Sequence, residues 1–226
     1  GPDGDVAGNE IKILYRSYDN HCKILAIADG SGAAYDPNGL EWEELLSLVK
    51  HQKPIAFFAK DKLSSHSDSF VIDTSTTENI KRRNELHFTI DADIFIPAGG
   101  RPYTVSKRNV EKFIDHNDKP SCQGIVEGAN IFFTDEAREI LQEKGVHIIK
   151  DSSANKTGVI CSSYEIVSSL ILTKKEFLKI KATYIEEVVE ILKEKAQLES
   201  RMLFKELDNH NNQNNLVELS KEISKV

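Results

Sequence analysis

Residues 124–167, GIVEGANIFFTDEAREILQEKGVHIIKDSSANKTGVICSSYEIV, read as one strand–helix–strand–helix unit, and this unit decides the fold. The apolar run 124–126 ends in the polar turn Glu127-Gly128-Ala129-Asn130. Thr134 is an N-cap candidate, and Asp135 and Glu136 place acids in the first turn of the helix behind it. Ala137, Ile140 and Leu141 fall on one face of that helix, and Gly145 is placed to close it. A second apolar run, 146–149, leads to the polar turn 151–158, DSSANKTG, and then to a further helix. Both polar turns thus lie at carboxyl ends of strands, where open α/β sheets bind ligands.

Working outward, the chain opens with GPDGDVAGNE over residues 1–10. A glycine-rich turn that opens a helix offers backbone N–H groups and the positive end of the helix dipole to a pyrophosphate. The spacing Gly1, Gly4, Gly8 departs from GxGxxG, and by itself it suits a plain turn equally well. A leading Gly-Pro also matches a tag-cleavage scar. The run 23–28, KILAIA, reads as a buried strand ending at Asp29, 21 residues beyond Gly8. That is about the offset at which an acid meets the adenosine ribose of a dinucleotide. A carboxylate there favours a free 2′-hydroxyl over a 2′-phosphate; a turn aspartate before glycine is the plainer alternative. Residues 93–96, DIFI, read as a compact central strand. Its end, Pro97-Ala98-Gly99-Gly100-Arg101-Pro102, carries small residues that let backbone approach a flat ligand, or simply turn tightly. Arg101 has no assigned role.

Helices are expected over 40–51, over 77–86 and over 105–115, and a short strand over 70–73. Thr173-Lys174-Lys175-Glu176 matches a capping box, so a new helix is expected from there. Phe177, Ile180, Tyr184, Val188, Ile191 and Leu192 form its apolar stripe, which suits core or subunit packing. The stretch 208–215, DNHNNQNN, is asparagine-rich and is expected to be a mobile linker before a short amphipathic tail.

Composition narrows the class. The 226 residues are enough for one large domain with a helical extension. With 29 basic and 36 acidic residues, the net charge of −7 argues against a nucleic-acid surface. No apolar run approaches the roughly 18–20 residues of a membrane span. Cys22, Cys122 and Cys161 lack CxxC spacing, which disfavours a disulfide scaffold or a zinc site. The histidines show no HxxH pair, so no metal site is expected.

EGAN at 127–130, DSSANKTGV at 151–159, the pair Ser162-Ser163 and DADIFIPAGGRP at 91–102 together resemble the nucleotide domain of glutamate dehydrogenases. The likeness is nearest to the large NAD-specific type, whose phosphate-binding turn GPDGDVAGNEI also resembles. The resemblance implies an α/β, Rossmann-like, doubly wound and mostly parallel sheet over residues 1–172. A carboxyl-terminal helical extension at 173–207 and an asparagine-rich linker and tail at 208–226 would follow. It implies that Asn130 and Asn155 bind the nicotinamide side of NAD, with Ala98 and Gly99 bordering it. Gly4, Asp5, Val6, Gly8 and Asp29 would hold the adenosine end, and Ser162 would contact the substrate L-glutamate. The implied reaction passes a hydride from glutamate to NAD, and water then releases 2-oxoglutarate and ammonia. In the family the catalytic lysines and aspartate lie on a preceding domain that nothing here matches. No catalytic residue is therefore expected in this chain, which alone should be inactive. The first strand and the substrate domain would lie upstream. A homo-oligomer is implied, and a cytoplasmic location is expected, with a mitochondrial or other organellar one as the alternative. Two other readings stay open: a leucine, valine or phenylalanine dehydrogenase, and a non-catalytic nucleotide-binding or oligomerisation domain.

Overall fold

A computed structural model describes residues 1–18, 21–209 and 215–223. The described strands form two three-stranded sheets. The first is antiparallel, with β1 (Ala26–Ala28), β2 (Gly32–Tyr35) and β3 (Phe70–Asp73) side by side in that order. The second is parallel, ordered β4 (Ile94–Phe95), β5 (Gly124–Val126) and β6 (His147–Ile149). Its β5 and β6, joined by an α-helix, are the strand–helix–strand unit expected from residues 124–167.

Helices begin where the sequence supplies caps. α1 (Asp5–Tyr18) follows the glycine turn, and α2 (Trp42–Lys50) is capped by the Glu41 carboxylate on the N–H groups of Glu43 and Glu44. α3 (Thr77–Thr89) starts at Thr76, whose hydroxyl accepts the Asn79 N–H. α4 (Asp135–Glu143) starts at Thr134, which accepts from Ala137, and Gly145 at φ +84° ends it. The box at Thr173 forms: its N–H donates to Glu176 Oε2 at 2.8 Å and opens α7 (Lys174–Asn209).

Ile11, Leu45, Leu48 and Ile55 fill the core beneath the antiparallel sheet. Val105, Phe113, Ile125, Phe133, Leu141 and Ile148 fill that of the parallel sheet. The stripe of α7 is used in part: Val188 is buried, and Tyr184 donates its hydroxyl to the Tyr164 carbonyl at 2.7 Å. Ile180 remains 45% exposed.

Several expectations need correction. Residues 105–115 form no α-helix, only a 3-10 turn over Val110–Phe113. The Asn109 amide takes the competing bonds instead, accepting from Ser106 N–H and donating to the Thr104 carbonyl. The strand expected at 93–96 spans only Ile94–Phe95, and it lies at the edge of the described parallel sheet, with Ile94 57% exposed. Of the run 23–28 only Ala26–Ala28 is strand, and it pairs antiparallel. The linker expected at 208–215 falls mostly on residues 210–214, outside the described residues, and α7 continues through Asp208 to Asn209. Part of the tail is α8 (Leu216–Ile223), whose Leu216 and Leu219 pack with Leu203, Leu207 and Ile149.

His87 of α3 sits among Phe88, Phe95, Phe113 and Phe132, with ring centroids 4.0–6.0 Å away. Its Nε2 is buried without a hydrogen-bond partner. Burial first, and the Lys112 charge second, lower its pKa from 6.5 to about 4, with Glu85 opposing. Between those values the unfolded chain binds the proton and the folded chain does not. Stability from this group is therefore lost as pH falls through that window. Burial raises the Glu10 carboxyl to about 7, which acts with the opposite sign, so the comparison must be between variant and parent. His87→Phe is expected to raise the urea midpoint at pH 5 relative to the parent more than at pH 7.5. Equal shifts at both pH values would contradict the neutral, desolvated imidazole.

Candidate functional site

The site is built where three chain turns meet at the carboxyl ends of β4, β5 and β6. Pairing of β5 with β6 runs one residue past the strand, through Glu127 N–H to the Ile149 carbonyl at 3.0 Å. The turn after β4 docks on the turn after β5, because Ala129 N–H donates to the Pro97 carbonyl at 2.6 Å. Gly128 makes that approach close. A Cβ there would lie 3.3 Å from the Pro97 oxygen, 3.6 Å from Ala98 Cα and 3.8 Å from Val6 Cγ1. The same residue therefore ties the first turn of α1 to both strand ends.

α1 itself begins in the glycine turn. Gly4 N–H donates to the Gly1 carbonyl and Gly8 N–H to the Gly4 carbonyl. The N–H groups of Asp5, Val6 and Ala7 then have no partner within the helix. Gly8 lets the turn close, since a Cβ would lie 2.8 Å from the Pro2 oxygen. Asp29 packs against Gly1 and is already engaged. It accepts from Ser31 N–H, the Ser31 hydroxyl and Ile55 N–H, all within 2.8 Å. A carboxylate offers about four acceptor positions, so roughly one remains.

The polar stretch 151–158 is not the turn expected from sequence. Residues Asp151–Ala154 form a short helix, α5, and Asn155 is the joint from which α6 (Lys156–Ile171) departs. This brings Asn155 to Asn130: its Nδ2 donates to Asn130 Oδ1 at 2.7 Å. Asn130, Asp151, Ser152, Asn155, Lys156 and Val159 line an open cavity of about 240 Å³. Ser162 is exposed on α6, three residues beyond Val159 and so on the same helix face, but it does not line the cavity. Gly99 has open space above it, with nothing within 4 Å of an added Cβ. Lys156 does not point free into the cavity; its ammonium pairs with Glu199 of α7 at 3.0 Å.

Four residues with no role assigned from sequence hold this arrangement. The buried Arg138 on α4 forks onto the buried Glu127, Nε to Oε1 at 2.7 Å and Nη2 to Oε2 at 2.8 Å. Burial pushes the Glu127 carboxyl up, and the Arg138 bonds pull it back. Ile131 sits at φ +49°, where a β-branched residue is strained by about 1–3 kcal/mol. Asp151 supplies the compensation, its Oδ2 accepting Ile131 N–H at 2.7 Å. The one signal in the sequence was Arg138 itself, an arginine next to the apolar positions of α4.

The parallel α/β layout, with a glycine turn opening α1 and a cavity at the strand ends, belongs to the class of open α/β folds whose ligands sit at the carboxyl ends of strands. The sequence model of the Glutamate/Leucine/Phenylalanine/Valine dehydrogenase family matches residues 1–223, and the chain belongs to that family. It is 37% identical over 225 residues to a probable NAD-specific glutamate dehydrogenase of Schizosaccharomyces pombe, covering 91% of this chain and 20% of the relative. It is 36% identical over 231 residues to the NAD-specific glutamate dehydrogenase of Saccharomyces cerevisiae, covering 90% of this chain and 21% of that protein. The chain thus spans about a fifth of the length of these curated relatives. Among solved structures, a Plasmodium falciparum glutamate dehydrogenase 2 matches 95% of this chain and 41% of its own. The TM-score is 0.58 at 19% identity, a likeness of fold. Among the described residues no helix is long and apolar enough to cross a membrane.

Proposed function

We propose that this chain is the cofactor-binding part of an NAD-dependent glutamate dehydrogenase, which oxidises L-glutamate to 2-oxoglutarate and ammonia. The observation that carries the reading is the Asn130–Asn155 pair at the rim of the cavity. With Asn155 Nδ2 bonded to Asn130 Oδ1, Asn130 Nδ2 is left as a donor and Asn155 Oδ1 as an acceptor on two side chains that line the cavity. That set fits a carboxamide, which offers an acceptor oxygen and a donor nitrogen. The nicotinamide ring, when bound, supplies the hydride acceptor. Asn130 and Asn155 would hold its carboxamide and so fix which ring face meets the substrate. Ala98 and Gly99 leave backbone-height space beside it.

The N–H groups of Asp5 and Val6, framed by Gly4 and Gly8, would bind the pyrophosphate. Asp29, at the end of β1 against Gly1, would take one ribose hydroxyl and repel a 2′-phosphate. Ser162, on the α6 face that carries Val159, would contact the carboxylate of glutamate. Catalytic residues would come from a substrate domain outside this chain, with a first strand preceding Gly1. The exposed apolar side chains Val159, Ile166 and Leu170 on α6, beside the cavity, support a second domain closing over this face. We place the enzyme in the cytoplasm as a homo-oligomer, with these 226 residues inactive on their own.

Calorimetric titration of the full-length enzyme tests the reading. NAD is expected to bind at least about tenfold more tightly than NADP, and turnover should favour glutamate over leucine, valine and phenylalanine. Heat from neither nucleotide would favour a non-catalytic domain, and preferred oxidation of an apolar amino acid would reassign the substrate.

A further inference from the structure

We propose that Asp151 is a positioning residue of this site, holding Asn130 in place through the backbone of Ile131. The inference rests on the cofactor reading above and concerns what fixes the asparagine pair. Asp151 is 8% exposed, and both carboxylate oxygens are used. Oδ2 accepts Ile131 N–H at 2.7 Å and Oδ1 accepts Ser152 N–H at 2.8 Å. Its own carbonyl accepts Asn155 N–H at 2.8 Å. The amide bond from Asn155 Nδ2 to Asn130 Oδ1 then closes a ring: Asn130, Ile131, Asp151, Asn155 and back to Asn130.

Every member of that ring is held by the next. Ile131 is β-branched and 42% exposed, so neither its intrinsic preference nor core packing keeps it at φ +49°. Its carbonyl accepts Tyr103 N–H at 2.8 Å, and on the other side the charge-assisted bond to Asp151 holds the peptide that joins it to Asn130. Released from it, Ile131 would return to an extended or right-handed conformation. The peptide joining Asn130 to Ile131 would rotate, and the Asn130 amide would leave its place opposite Asn155. Asp151 lines the cavity, but both of its carboxylate oxygens are taken by backbone N–H groups, so it acts through Asn130 and Asn155.

Variants of the full-length enzyme separate positioning from bulk stability, using NADH and ADP-ribose, which lacks the nicotinamide, as ligands. Asp151→Ala is expected to weaken NADH binding about tenfold, to leave ADP-ribose binding unchanged and to lower Tm. Asp151→Asn keeps an acceptor for Ile131 N–H and is expected to lose a few-fold. It carries the test if the alanine variant does not fold. Adding Ile131→Gly to Asp151→Ala removes the strain, because glycine accepts positive φ, so Tm should recover. NADH affinity should stay about tenfold down, because the peptide joining Asn130 to residue 131 has then lost its tie to residue 151. Parental NADH affinity in the double variant, or equal losses for NADH and ADP-ribose, would overturn the proposal. Asn130→Ala serves as the control. If it weakens NADH while the Asp151 variants do not, only the positioning role fails. If it leaves NADH affinity untouched, the cofactor reading fails and this inference with it.

Discussion

Replacing Arg138 with alanine is expected to destabilise the protein by about 3–5 kcal/mol, measured as a loss in urea-unfolding free energy. The side chains of Arg138 and Glu127 are 4% and 0% exposed. Removing the guanidinium leaves a carboxylate in a dry interior with two empty acceptor oxygens. Burial already raises the Glu127 pKa, so the orphaned group would take up a proton rather than stay charged. Lysine is not a substitute, since it cannot reproduce the two parallel bonds of the fork. Replacing both partners, as Glu127→Leu with Arg138→Met, should recover most of the loss because no unpaired group remains. The pair also stands directly before Gly128 and Asn130, so the single variant should lose cofactor affinity together with stability. A cost below about 1 kcal/mol for Arg138→Ala would mean that water reaches the pair and that it does not anchor the turn.

Much of this fold could be read from residues 124–167, for identifiable reasons. Thr134 and Gly145 mark the two ends of α4, and the apolar runs on either side are too short for helices. That pattern leaves a parallel pair joined by a helix, as found for β5 and β6. The family resemblance and their places at strand ends lead to the expectation that the turn after β4 and the two asparagines are neighbours, and the bonds from Ala129 to Pro97 and from Asn155 to Asn130 bring them together. The rest depended on contacts that periodicity does not report. Arg138 reads as one more polar residue on a surface helix until its partner, 11 positions back at the end of another element, is known. Isoleucine gives no warning of a left-handed conformation, because that conformation is imposed by Asp151, 20 residues away. Asp151–Ala154 is helical although aspartate and serine are poor helix formers, which is why it passed as a turn. β2, with the sequence GAAY, lacks the branched residues that mark strands; its pairing with β3 defines it.

Asn130→Ala and Asn155→Ala are each expected to weaken NADH binding about tenfold, and the pair together about thirtyfold. The double loss should be less than the product of the singles because each amide orients the other, so removing one already releases its neighbour. Asn130 is exposed and Asn155 only half-buried at the cavity, so Tm should hardly change. The selectivity of the loss is the sharper signature. ADP-ribose carries the adenosine, the pyrophosphate and both riboses but no carboxamide, so its affinity should be the same in the parent and in every asparagine variant. The decisive measurement is therefore a parallel fluorescence titration of full-length parent, Asn130→Ala and Asn155→Ala with NADH and with ADP-ribose. A loss confined to NADH is the predicted result; unchanged NADH affinity, or equal loss of both ligands, would contradict a nicotinamide site at these two asparagines.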